Sequence, residues 1–120
     1  RMVVVTGRDG RNADAQVTFG DGRITIAPRT GGDALATLTY RQIVSGTYTR
    51  SRDPKWDPAA YSPPDNLNTP GTVLRRPAHW LVLQTADAFA ILRLEDSNWE
   101  RILAAVEART GLKVARPNEP

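Results

Sequence analysis

His79 is the single imidazole in the 120-residue chain, and no cysteine accompanies it. Any Ser–His–Asp chemistry would therefore have to run through this one residue, which stands just before Trp80 where an apolar strand begins. Its candidate nucleophile is missing, because Ser45-Gly46 lacks the preceding glycine of a Gly-x-Ser-x-Gly elbow. The adjacent carboxylates Glu95 and Asp96 precede a helical pattern, where the dipole favours negative charge without any acid–base role. Gly31-Gly32 is not followed by the Lys-Ser/Thr of a phosphate-binding loop. The lone His and absent Cys exclude a disulfide scaffold, a thiol nucleophile and a zinc knuckle, and no carboxylate spacing resembles an EF-hand. No catalytic constellation is visible, no metal site or cofactor is expected, and the reading is a non-catalytic chain. A small hydrolase built on His79 is the alternative.

The basic residues suggest two further sites. Sixteen Lys and Arg stand against thirteen Asp and Glu, a net charge of +3. The sequence pI of 9.8 reflects how little titrates near neutrality, since nearly all the bases are Arg. These charges are scattered among acids and not gathered on one face, so nucleic acid is not an expected partner. One segment does concentrate them. Five of the nine prolines fall between Arg52 and Gly71, and Arg50, Arg52, Lys55, Trp56, Tyr61, Arg75 and Arg76 lie on or beside that stretch. Aromatic and Arg side chains are enriched in binding hot spots. Trp56, Tyr61, Arg52, Lys55, Arg75 and Arg76 are thus candidates for contact with a protein or peptide. The structural alternative is that Trp56 and Tyr61 pin the loop to the body of the domain.

The surrounding pattern supplies the scaffold. Met2–Thr6 is a β-branched run, and Gln16–Phe19 with Arg23–Ala27 flank Gly20-Asp21-Gly22 as a hairpin. Leu35–Thr39 and Ile43–Arg50 follow, the latter with a bulge or bend expected at Gly46. After the proline-rich loop at about 51–72, His79–Thr85 and Ala88–Leu94 form a second hairpin turning at Ala86-Asp87. The period then changes to helical. Trp99, Ile102, Leu103 and Val106 make one apolar stripe, Ser97 and Glu100 have capping-box spacing, Arg109 suits the C-terminal end, and Gly111 suits the C′ position. Leu112 and Val114 are placed to pack beyond the cap. Seven strands joined mostly by short turns, then one helix, predict a mainly β, antiparallel fold. Residues 1–115 form a single domain on this reading, with 116–120 a flexible tail.

This order resembles a pleckstrin-homology-like (PH-like) domain, including GRAM-type relatives. The most specific stretch runs from His79-Trp80-Leu81-Val82-Leu83 to Ile91-Leu92-Arg93-Leu94, then from Asn98-Trp99 to Ala108-Arg109-Thr110-Gly111-Leu112-Lys113-Val114. It is similar to the end of small bacterial proteins of that type, many of them exported in appearance. The resemblance covers the order of most elements, with residue-level similarity confined to about the last forty positions. It implies a seven-stranded antiparallel barrel, or orthogonal sheets, capped by the C-terminal amphipathic helix. The family's lipid-binding members further imply that Arg8 and Arg11, in the loop after the first strand, could meet anionic phospholipid headgroups. Arg75-Arg76 would support the same peripheral membrane contact, although Asp9 opposes it. Arg1 precedes the first Met, which points to a trimmed chain or a mature fragment. Export to a periplasm follows if a signal peptide was removed, and cytoplasmic residence if none was.

Overall fold

The computed structural model describes residues 2–6, 11–28, 32–34, 36–51, 56–59 and 78–116, with only the backbone described for 2–6 and 11–14. Its elements are β1 (Met2–Thr6), β2 (Arg11–Gly20), β3 (Arg23–Pro28), β4 (Ala36–Thr39), β5 (Ser45–Ser51), β6 (Ala78–Gln84), β7 (Phe89–Leu94) and α1 (Trp99–Thr110). The seven expected strands and the C-terminal helix are all present in the expected order. Two three-stranded antiparallel halves, β2–β3–β4 and β5–β6–β7, are joined through β1, giving the order β4-β3-β2-β1-β7-β6-β5. Among the described residues no pairing links β4 to β5, so hydrogen bonding does not close the sheet.

β2 begins five residues before the expected Gln16. Its first half pairs with β1 (Met2↔Ala15 to Thr6↔Arg11) and its second half with β3 (Ala15↔Pro28 to Gly20↔Arg23). A strand that serves two partners in succession must be long, and Arg11–Asp14 carries too little apolar patterning to announce it. The β2–β3 hairpin turns through Asp21-Gly22, with Gly22 at φ 73°, a conformation that costs an L side chain strain. Tyr40 ties this turn to the end of β4: its N–H donates to the Gly22 carbonyl at 3.1 Å and its hydroxyl to the Gly20 carbonyl at 2.8 Å.

The main core lies between the sheet and α1. Ile24 and Ile26 of β3, Leu38 of β4, Tyr48 of β5, Leu81 and Leu83 of β6, and Leu92 and Leu94 of β7 meet Ile102, Leu103 and Val106 of the helix. A second cluster occupies the other face of β6 and β7, where Ala78, Trp80, Val82, Phe89 and Ile91 pack with Trp56. Every residue of β6 is consequently buried.

Two local expectations are corrected. The register Ser45↔Gln84 to Ser51↔Ala78 runs unbroken, so Gly46 makes no bulge. A Cβ there would sit 3.4 Å from Val114 Cγ2 and 3.5 Å from Leu83 Cδ2, ordinary contact distances, so packing does not demand glycine either. The helix N-cap is Asn98, not Ser97, and no side chain caps the first turn. Asn98 Oδ1 reaches back to accept from the Glu95 N–H at 3.1 Å, which closes the preceding turn and leaves the Ser97/Glu100 capping box unformed. The C-terminus behaves as expected. Gly111 takes the left-handed conformation at φ 75° and donates its N–H to the Glu107 carbonyl.

Beyond Gly111 the chain folds back on the sheet. Val114 is buried in the core and Ala115 pairs in parallel with Thr47, its N–H donating to Gly46 O at 2.8 Å and its carbonyl accepting from Tyr48 N–H at 2.7 Å. Glu107 secures this segment by accepting from the Val114 N–H at 2.9 Å, with Arg116 3.8 Å from its other oxygen. The outer edge of β5 is thus partly covered by the chain itself. At β4 the turn residue Gln42 does the same, its Oε1 accepting from Thr39 N–H and its N–H donating to Thr39 O. Both devices protect sheet edges against unwanted pairing.

Candidate functional site

The concentration of polar chemistry within the described residues is a relay of three side chains beneath the start of α1. Tyr48 and His79 share one face of neighbouring strands, with Tyr48 opposite Leu81 and His79 opposite Arg50 in the β5–β6 register. Tyr48 Oη lies 2.6 Å from His79 Nδ1, and His79 Nε2 lies 2.9 Å from Asp96 Oδ1. A carboxylate only accepts, so Nε2 of the neutral ring carries the proton and Nδ1 accepts from the tyrosine hydroxyl. The Trp99 ring covers both partners. Its centroid is 4.9 Å from that of Tyr48 and 4.9 Å from that of His79, with interplanar angles of 8° and 10°.

In connectivity this is a hydroxyl, an imidazole and a carboxylate in series, the order of a nucleophile, base and orienting acid. Tyr48 is only 3% exposed, and the indole lies flat over the hydrogen-bonded pair. Asp96, with its side chain 96% exposed, is too solvated for the His–Asp contact to add much as a charge pair. The relay also ties elements together. It joins β5 and β6 to the turn before α1, and the Trp99 stack seats the first helical residue on them. Each buried polar atom in it finds a partner, which is the condition for placing a histidine in a core.

A second polar device faces the opposite side of the sheet. Gln84 is fully buried at the end of β6. Its Oε1 accepts from the Asp57 N–H and its Nε2 donates to the Asp57 carbonyl, both at 2.9 Å. Asp57 Oδ1 then accepts from the Ala59 N–H at 2.9 Å, forming a local turn. These bonds hold the beginning of the proline-rich segment against the β6–β7 face, with half-buried Trp56 on the Trp80 cluster.

Of the residues singled out from sequence, Trp56 and His79 therefore have described places, on opposite faces of the sheet. Arg11 pairs with Thr6 through its backbone at the start of β2. Arg8, Arg52, Lys55, Tyr61, Arg75 and Arg76 lie outside the described residues, as does most of the loop between them. Sequence reasoning missed Tyr48 and Gln84, and it assigned Asp96 only to the helix dipole. Gln84 did carry a signal, as an amide closing an otherwise apolar strand. Tyr48 carried none, because its partner is 31 positions away.

Among the described residues no group of three His, Cys, Asp or Glu side chains could hold a metal ion, and no helix is long and apolar enough to cross a membrane. In comparisons with known proteins the sequence matches no family model and no curated protein.

Proposed function

We propose that this chain is a PH-like binding module, non-catalytic, that recognises a protein or peptide through the beginning of its proline-rich segment. The observation that carries the reading is the clamp of Gln84 on Asp57. Burying an amide in an apolar strand face carries a desolvation cost, offset here by two hydrogen bonds to one residue of a loop. The result is a fixed backbone with a half-exposed Trp56 upon it, and loops ordered before binding lose less entropy when a partner arrives. The strand order and the C-terminal helix support the PH-like assignment, with β1 as the shared strand between two halves. Edge-strand addition is the less favoured route, since Ala115 and Gln42 already engage backbone groups of β5 and β4. A hydrolase centred on His79 is disfavoured by the burial of Tyr48.

The test compares partner recovery by the intact chain, a Trp56→Ala/Tyr61→Ala variant and a Gln84→Leu variant, each bearing a photo-crosslinking residue in place of exposed Ala59. Loss of the cross-linked species in the first variant and its weakening in the second are expected. Equal recovery by all three rejects the loop as the recognition surface.

A further inference from the structure

We infer a second binding site, on the helix-bearing face of the sheet, that takes a small amphipathic carboxylate such as a medium-chain fatty acid. It is the groove between β2 and the first half of α1, about 590 Å³ in volume, within the usual range of roughly 300–1,000 Å³ for small-molecule sites. It is separate from the Trp56 surface, which packs on the other face of the sheet.

Two of the residues lining the groove have small side chains. They are Ala15 on β2 and Ala105 on α1, one from the strand and one from the helix. Val17, Phe19 and Ile102 form the rest of the apolar lining, and Val17 and Phe19 are only partly buried although they belong to the main core. Apolar area left wet in this way favours an aliphatic chain by about 25 cal/mol for each Å² covered.

The polar lining is confined to Gln16, Glu95, Asn98 and Arg101. Asn98 Oδ1 is already used by the Glu95 N–H, which leaves its Nδ2 as the group available to donate. Arg101 is exposed and forms no ion pair with any described residue. A guanidinium and an amide N–H beside an apolar trough match a carboxylate head on an aliphatic body, the guanidinium being suited to paired hydrogen bonds with two carboxylate oxygens. Glu95 is the opposing charge. It sets a test of its own, because its repulsion of an anionic head should be relieved by Glu95→Gln.

Calorimetric titration with decanoate, and with decanol as the uncharged analogue, tests the assignment on the intact chain. Saturable decanoate binding is expected, with decanol and the Arg101→Gln variant each about tenfold weaker, the scale of one charge-assisted hydrogen bond. Glu95→Gln should tighten decanoate, Ala105→Trp should abolish binding by filling the trough, and Arg109→Gln, on the same helix but outside the groove, should leave it unchanged. Circular dichroism melts establish that each variant is folded, and the exposed Arg101→Gln keeps the test decisive if Ala105→Trp is not. Absence of saturable decanoate binding below millimolar concentration overturns the assignment. So does equal weakening by Arg101→Gln and Arg109→Gln, or an unchanged affinity in folded Ala105→Trp. Because Trp56 is intact throughout, these outcomes are independent of the fate of the loop reading.

Discussion

β3 and β6 are both antiparallel strands with a neighbour on each side, yet they are buried differently. In β3 the residues Ile24 and Ile26 are buried while Arg23 is exposed and Thr25 half-buried, and in β4 only Leu38 is buried. In β6 all seven residues are buried, and in β7 every residue but the half-buried Arg93. The β2–β4 half therefore has one covered face, and the β5–β7 half has two. Alternation in sequence marks the first condition and a continuous apolar run the second, regardless of whether strands run parallel or antiparallel. The difference also locates the chemistry. Both buried polar devices, the Tyr48–His79–Asp96 relay and the Gln84 clamp, lie in the doubly covered half, where an unpaired polar group would be most costly.

The strongest challenge to this contrast is Trp80→Ala, which empties the second core of its largest side chain. A loss of about 3–5 kcal/mol is expected, against less than about 0.5 kcal/mol for Thr25→Ala on the open face of β3. Urea unfolding measures both, and comparable losses would mean that the halves are not unequally covered. A smaller effect attaches to Tyr48→Phe. It keeps the ring and its stack on Trp99 but strands His79 Nδ1 without its donor, for an expected cost of about 1–3 kcal/mol. If the relay seats the helix, amide exchange at the start of α1 should accelerate in the same variant, and unchanged exchange there would reduce the relay to ordinary packing. The last substitution tests a turn of the lightly covered half. Gly22→Ala puts a side chain at φ 73° with open space around it, so backbone strain alone should cost about 1–2 kcal/mol. A neutral outcome in thermal melts would show that the turn relaxes freely, and that this half tolerates more than its hydrogen bonds suggest.

Much of this was legible in the chain. The Asp21-Gly22 turn, the alternating isoleucines of β3, the apolar run of β6 and the Trp99–Val106 stripe each announce an element through local chemistry. The capping residue did not, because Ser97 and Asn98 are both good caps by type and the choice depended on the turn closed by Glu95. Gly46 was legible as a break in the pattern, yet its pairing with Leu83 is regular, and its neighbour Val114 comes from the far end of the sequence. The candidate site was legible only in part. His79 stood out as the one imidazole, while its partners come from β5 and from the turn before α1, and nothing local connects them.

What the sequence determined by itself was periodicity: which residues form strands, which form the helix, and which face of each is apolar. Those are properties of neighbours two to four positions apart, set by backbone sterics and by the exclusion of apolar surface from water. The tertiary structure decided which polar groups meet and which surfaces remain open. It placed Tyr48, His79 and Asp96 in one relay, turned Gln84 into the anchor of a loop, and left a groove between β2 and α1 lined in part by Ala15 and Ala105. Contacts of that kind depend on how the strands and the helix are brought together, and hydrogen bonds and packing between distant residues leave no period in the sequence to read.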